Sequence, residues 1–238
     1  MEAIIEAEHL SKRLGLKTAV DDLTIAVRRG EVFGVLGHNG AGKSTTIDCL
    51  LGLKRPDGGK CRILGMAPEQ ERKQLFEHVG VQLQHNAYPD KIKVHELCEE
   101  TAVLYKNPGN YRQLLKQFGL EHCQNQFIPS LSGGERQKLS VLLALLPKPD
   151  VIFLDELTTG LDTSARREVW KQLETLKSKG VTILLTSHYM DEVEALCDRI
   201  CLLKDGKEII TGTVENIIKE SPYDTLEEAY LWFMGEEV

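Results

Sequence analysis

Apolar and polar residues alternate along residues 3–9 and 23–27, the period of half-buried strands. Between them, 11–15 and 20–23 read as polar turns. Residues 31–36 form a short apolar run suited to a buried strand, and 44–53 carry helical spacing up to Lys54, with Pro56 beyond. Pro56-Asp57-Gly58-Gly59 is a turn. Residues 61–64 and 79–84 are short strand candidates, with a helix expected over 69–78 between them.

From 86 to 148 the strand pattern stops. Helices are expected over 94–105, 111–118 and 132–146, punctuated by Pro108-Gly109 and Phe118-Gly119 and ended by Pro147 and Pro149. Strand patterning resumes at 151–154. Helical spacing follows over 165–179 and stops at Gly180, before an apolar strand at 181–186 and a helix over 191–197. Residues 199–203 and 208–211 flank Asp205-Gly206, a hairpin turn pair. Thr225 and Glu228 have capping-box spacing for a last helix through Phe233. The pattern predicts an α/β core interrupted by a helical insertion.

The chain of 238 residues, 42% hydrophobic, has the size of one large α/β domain. A formal net charge of −7 argues against broad nucleic-acid binding, and nucleic acid is not an expected partner. The longest strongly apolar stretch, 141–146, is too short to span a bilayer, and the acidic first residues lack a signal-peptide layout. A cytosolic location is expected unless another subunit holds the chain at a membrane. The six cysteines form no C-x-x-C pair, so reduced thiols are expected rather than a metal or disulfide framework.

Gly37-His38-Asn39-Gly40-Ala41-Gly42-Lys43-Ser44-Thr45 changes the picture, since it fits G-x-x-x-x-G-K-[ST]. A phosphate chain needs backbone N–H groups aimed at it, and Gly37, Gly40 and Gly42 remove the Cβ atoms that would block that approach. The helix opening near Lys43 offers its unpaired amides and positive dipole end. Lys43 would reach the β- and γ-phosphates and Ser44 would ligate Mg²⁺. Downstream, residues 151–154 run into Asp155 and Glu156. A buried strand would deliver both acids to the C-terminal edge of a parallel sheet, Asp155 toward Mg²⁺ and Glu156 toward an attacking water. Ser132 and Glu135 have S-x-x-E spacing at the start of a helix. A helix cap alone does not call for Gly133-Gly134, which lower helix stability but make a second phosphate-facing surface.

Leu131-Ser132-Gly133-Gly134-Glu135 resembles the signature motif of ATP-binding-cassette (ABC) ATPases, the nucleotide-binding subunits of transporters. The resemblance covers essentially the whole chain, with motifs in family order. It implies a P-loop NTPase (RecA-like) α/β core with an N-terminal antiparallel β subdomain and an inserted α-helical subdomain. The core would comprise 1–86 and 149–238, and the insertion 87–148, within one domain. Gln84 is similar to the family's loop glutamine, which senses Mg²⁺ and the transmembrane partner. Gln82 competes for that assignment, but only Gln84 stands where the strand gives way to the helical insertion. Asp155 and Glu156 match the magnesium aspartate and catalytic glutamate. Asp162, in Thr159-Gly160-Leu161-Asp162, matches the dimer-crossing loop, and His188 the switch histidine. The stretch 188–199 further resembles the drug- and lipid-exporter branch, including daunorubicin-type exporter ATPases.

The resemblance implies head-to-tail subunits sharing two ATP molecules, with Ser132, Gly133 and Gly134 completing the neighbour's site. A homodimer and a separate transmembrane permease are the implied partners, ATP and Mg²⁺ the cofactors, and the cytoplasmic face of the membrane the location. Three positions depart from the family. Leu14 stands where an aromatic residue usually stacks on adenine, Glu135 where glutamine is commonest, and Leu157 where proline usually follows the catalytic glutamate. The alternatives are a soluble ABC ATPase acting in DNA repair or translation, a P-loop small-molecule kinase and a regulatory nucleotide-binding module. The first usually carries tandem cassettes or a long coiled-coil insertion, which this chain lacks. The signature motif and the late His188 argue against the second, and measured ATP turnover would separate the third.

Overall fold

The computed structural model describes residues 3–84 and 87–236. In chain order its elements are β1 (Ala3–Leu14), β2 (Lys17–Arg28), β3 (Val32–Leu36), α1 (Lys43–Leu50), β4 (Gly58–Ile63), α2 (Arg72–Leu75), β5 (Val79–Gln82), α3 (Val94–Ala102), α4 (Tyr111–Gln117), α5 (Gly133–Ala144), β6 (Val151–Asp155), α6 (Thr163–Ser178), β7 (Thr182–Ser187), α7 (Met190–Leu196), β8 (Arg199–Lys204), β9 (Lys207–Gly212), α8 (Val214–Lys219) and α9 (Leu226–Met234). Short 3₁₀ turns at Glu121–Cys123 and Ile128–Ser130 precede α5. No helix among the described residues is long and apolar enough to cross a membrane.

The chain folds into two compact units. The first runs through Leu75 and resumes at Thr182. It holds an antiparallel sheet in the order β2-β1-β4 and a second sheet segment in the order β7-β3-β8-β9. In that segment β3 pairs in parallel with β7 and β8, and β9 returns antiparallel. Every residue of β3 and of β7 is buried, as expected of parallel strands covered on both faces. In β2, Leu23, Ile25 and Val27 are buried while Thr24, Ala26 and Arg28 face outward.

The β1–β2 hairpin is longer than the sequence pattern suggests. Residues 11–14 and 20–23, read as turns, lie inside the two strands, and Leu14 pairs with Lys17 across a tight turn at Gly15. Repeated register shifts break the alternation, and His9 and Asp22 take positive φ values of 51° and 56°. A bulge exposes consecutive polar residues without ending the strand, so the polar runs imitate turns. The helix expected over 69–78 shrinks to α2, and the strand expected over 79–84 ends at Gln82.

The second unit, Phe76–Val181, contains parallel β5 and β6 with α3 to α6. A Cβ on Gly80 of β5 would lie 2.0 Å from the Ala144 carbonyl oxygen, so glycine allows the end of α5 to approach this strand closely. Residues 87–148 contribute α3, α4, α5 and the two 3₁₀ turns to this unit.

Candidate functional site

In the first unit the chain leaves β3 at Leu36 and enters α1 at Lys43, and the loop between is held by backbone. Gly206 N–H donates to Ala41 O at 2.9 Å, and Asp21 N–H to Gly206 O at 2.8 Å. The Asp205-Gly206 turn, with φ of 50° and 82°, therefore buttresses the loop from beneath. A Cβ on Gly37 would stand 2.4 Å from Leu203 O, and one on Gly42 2.3 Å from Ala19 O. Gly40 and Gly42 also have φ of 84° and 109°. Each glycine is thus required by a close approach, a left-handed backbone, or both.

Lys43 is buried, and its Nζ donates to Gly37 O at 2.7 Å and His38 O at 3.3 Å, which places the ammonium across the mouth of the loop. Thr46 Oγ1 donates to Gly42 O at 2.9 Å, securing the first turn that carries Ser44 and Thr45. His38 and exposed Asn39 form the outer rim, where His38 Nδ1 lies 2.9 Å from Asn39 O. Lys17 Nζ donates to Gly40 O at 3.2 Å, so the start of β2 lies beside the same rim. Leu14 and Leu16 flank that turn and are 43% and 98% exposed, leaving apolar surface near the loop.

His188 belongs to the same unit. Leu36 pairs with Ser187 in the parallel ladder, so Gly37 and His188 are the next residues out of neighbouring strands. Buried Ser187 donates from Oγ to Glu192 Oε2 at 2.6 Å and accepts from Tyr189 N–H at 3.0 Å, fixing the strand end. The exposed His188 ring lies 4.2 Å, centroid to centroid, from the Tyr189 ring.

In the second unit Gln82 pairs with Leu154, so two residues later Gln84 and Glu156 leave adjacent parallel strands together. Gln84 Nε2 donates to Glu156 Oε2 at 2.6 Å, a charge-assisted bond that orients the carboxylate. Gln82 differs. It is 2% exposed, bonds the Leu83 carbonyl, and its Oε1 has no partner, so it cannot reach out as Gln84 does. Asp155 ends β6 and is buried, while Glu156 has φ of 50°, a left-handed conformation rare for glutamate. Such a conformation costs about 1–2 kcal/mol, and strain of this kind concentrates at working sites. Leu157, the next residue, is buried.

Ser132 caps α5 and exchanges a full capping box with Glu135: Glu135 N–H donates to Ser132 Oγ at 3.2 Å and Ser132 N–H to Glu135 Oε2 at 2.8 Å. Ser132 and Gly133 are exposed, and no atom lies within 4 Å of a Cβ built on Gly133, so this helix start is open to an approaching group. Asp162 caps α6, accepting from Ser164 and Ala165 amides at 2.9 Å. Its spacing therefore has a structural use beside the one the motif implies.

Ser44 in the first unit, and Gln84 and Asp155 in the second, each carry an oxygen donor of the type that a hard divalent cation such as Mg²⁺ takes. The three glycines let the loop turn tightly into the start of α1, and that helix start with Lys43 beside it suits a polyphosphate.

A glycine-built phosphate loop between strand and helix, an acidic pair ending a parallel strand and a histidine ending another define an α/β P-loop nucleotide-binding cassette. The family model described as ABC transporter matches residues 20–159, and the chain belongs to that family. It is 38% identical over 224 residues to the Nod factor export ATP-binding protein I of Ralstonia nicotianae, covering 90% of this chain and 68% of that protein. It is 35% identical over 240 residues to the probable multidrug ABC transporter ATP-binding protein YbhF of Escherichia coli, covering 97% of this chain but spanning only 41% of that relative. Among solved structures, an ATP-binding subunit of an ABC transporter superposes with a TM-score of 0.88 at 27% identity, over 97% of this chain and 99% of that one. The cbiO1 subunit from Clostridium perfringens, part of the ABC transporter complex cbiONQ, gives 0.80 at 28% identity over 92% of each.

Proposed function

We propose that the chain is the ATP-hydrolysing subunit of an ABC transporter and drives export through a separate membrane subunit. The observation that carries this is the phosphate loop, where backbone contacts exclude any side chain at Gly37 and Gly42 while Lys43 lies across the mouth. The loop amides and Lys43 hold the phosphates, with His38, Asn39, Ala41 and Thr45 shaping the cradle. Ser44, Asp155 and Gln84 are the residues to hold Mg²⁺, which when bound neutralises charge on the phosphates. Glu156, oriented by Gln84, accepts a proton from the attacking water. His188 contacts the γ-phosphate.

The segment 87–148 serves as the helical subdomain. Its Ser132, Gly133 and Gly134, with Asp162 beyond it, complete the site of a second copy, so the working unit is a dimer, a homodimer by preference. The location that follows is the cytoplasmic face of a membrane, held there by the permease. Export is favoured by the relatives named for multidrug transport and Nod factor export. The test is phosphate release from ATP by the purified chain with Mg²⁺. Activity per subunit should rise with protein concentration, as shared sites require. Activity that stays flat down to a verified monomer overturns the shared-site reading, and no ATP turnover at any concentration overturns the hydrolase.

A further inference from the structure

Glu135 uses only one carboxylate oxygen for its backbone half of the capping box. Oε2 accepts from the Ser132 amide at 2.8 Å and hydroxyl at 2.7 Å. Oε1 turns the other way, to His122 Nε2 at 2.9 Å and Cys123 Sγ at 3.1 Å. The three atoms, one nitrogen, one sulfur and one oxygen, all lie within 4.8 Å of one another. They are the ligand types that borderline divalent cations select, and a tetrahedral Zn²⁺ site with bonds of about 2.0–2.3 Å needs ligand atoms roughly 3.3–3.8 Å apart. The two separations from Glu135 Oε1, 2.9 and 3.1 Å, lie just under that spacing, and His122 Nε2 is no more than 4.8 Å from Cys123 Sγ. Cys123 is buried and anchored by the 3₁₀ turn, whereas the His122 side chain is 63% exposed and has room to swing.

We propose that His122, Cys123 and Glu135 form a binding site for a borderline divalent cation of the zinc class beside the start of α5. The cation takes neutral His122 Nε2, Glu135 Oε1 and the Cys123 thiolate. The thiol proton is released to solvent, and the exposed side keeps a water as fourth ligand. The Cys123 thiol must lose its proton to bind the ion, so affinity rises with pH. Oε2 stays on Ser132, so an occupied site is one carboxylate away from the cap of the helix that begins Gly133-Gly134. The site does not depend on the ATP reading.

The experiment titrates the full chain with Co²⁺ alone, without nucleotide, and follows absorption. One equivalent should give a thiolate-to-cobalt charge-transfer band and the visible bands of a tetrahedral ion, both lost when Zn²⁺ displaces it. Cys123→Ser should lose the charge-transfer band. His122→Ala changes an exposed side chain and should weaken binding at least about tenfold, the lower end of what even outer-shell partners of a metal site contribute. Glu135→Gln keeps a capping residue and should weaken binding similarly. No charge-transfer band at one equivalent, or an unchanged band in Cys123→Ser, overturns the site. Should Cys123→Ser fail to fold, unchanged affinity in His122→Ala overturns it instead.

Discussion

Alanine substitution at the three loop glycines separates the two demands that the phosphate loop makes of its backbone. Gly40 has φ of 84°, and the nearest atom to an added Cβ is the flexible Lys17 Nζ at 3.5 Å. Gly37 needs no left-handed backbone, but its Cβ would meet the Leu203 carbonyl oxygen at 2.4 Å. Gly42 combines φ of 109° with a contact of 2.3 Å to Ala19 O. A left-handed conformation costs a residue with a Cβ about 1–2 kcal/mol, and forcing a methyl into packed surroundings costs about 1–3 kcal/mol. Gly40→Ala should therefore lose about 1–2, Gly37→Ala about 1–3 and Gly42→Ala about 2–5 kcal/mol. Urea unfolding followed by the fluorescence of Trp170 and Trp232 reads this as a falling midpoint. With a slope of about 2 kcal/mol per molar, Gly42→Ala should shift it by roughly 1–2.5 M. A Gly42→Ala midpoint equal to wild type, or a Gly40→Ala loss as large as that of Gly42→Ala, would refute the division into strain and collision.

Two further outcomes are expected. Glu135 is held at about 2, below its ordinary 4.5, by hydrogen bonds from the Cys123 thiol first, then the Ser132 hydroxyl and amide, then His122. A lowered carboxyl contributes stability that is complete above 4.5 and lost as pH falls toward 2. Glu135→Gln should therefore lie below wild type in urea midpoint at pH 7, with the gap closing across that acid window; a gap independent of pH would contradict it. Leu14→Tyr should tighten ATP binding more than GTP binding, since stacking on a base contributes up to about 1–3 kcal/mol. Equal or weaker ATP affinity in a folded variant would mean that Leu14 is not at the base or that another residue already stacks there.

The loop from β3 into α1 was legible because its signal is local: nine successive residues carry the glycines, the lysine and the helix start. The Asp205-Gly206 hairpin and the Ser132–Glu135 capping box were legible for the same reason. What supports the loop was not. The contact that excludes a Cβ at Gly42 comes from Ala19, and the one at Gly37 from Leu203, partners that no short-range pattern names. The β1–β2 hairpin was cut short because bulged strands expose polar residues in runs. Helix α8 was missed although Thr213 accepts from Asn216 N–H as its cap, a signal of only six helical residues. Gln84 was preferred to Gln82 for its position at a strand end; its bond to Glu156, a residue 72 positions away, could not be read from the sequence.

The central claim is that Glu156 is the group that activates water, while the loop amides, Lys43 and Mg²⁺ secure the nucleotide without it. Glu156→Gln keeps the side chain's size and removes its charge, so ATP affinity should stay within a few-fold of wild type. Turnover should fall about 10²–10⁴-fold, the usual worth of a general base. The variant should also collect as an ATP-loaded dimer on size-exclusion chromatography, since a negative charge beside the polyphosphate has been removed. The deciding measurement is single-turnover phosphate release by Glu156→Gln with bound ATP quantified in the same sample. Bound ATP with release suppressed supports the assignment, and release at close to the wild-type rate contradicts it and turns attention to His188.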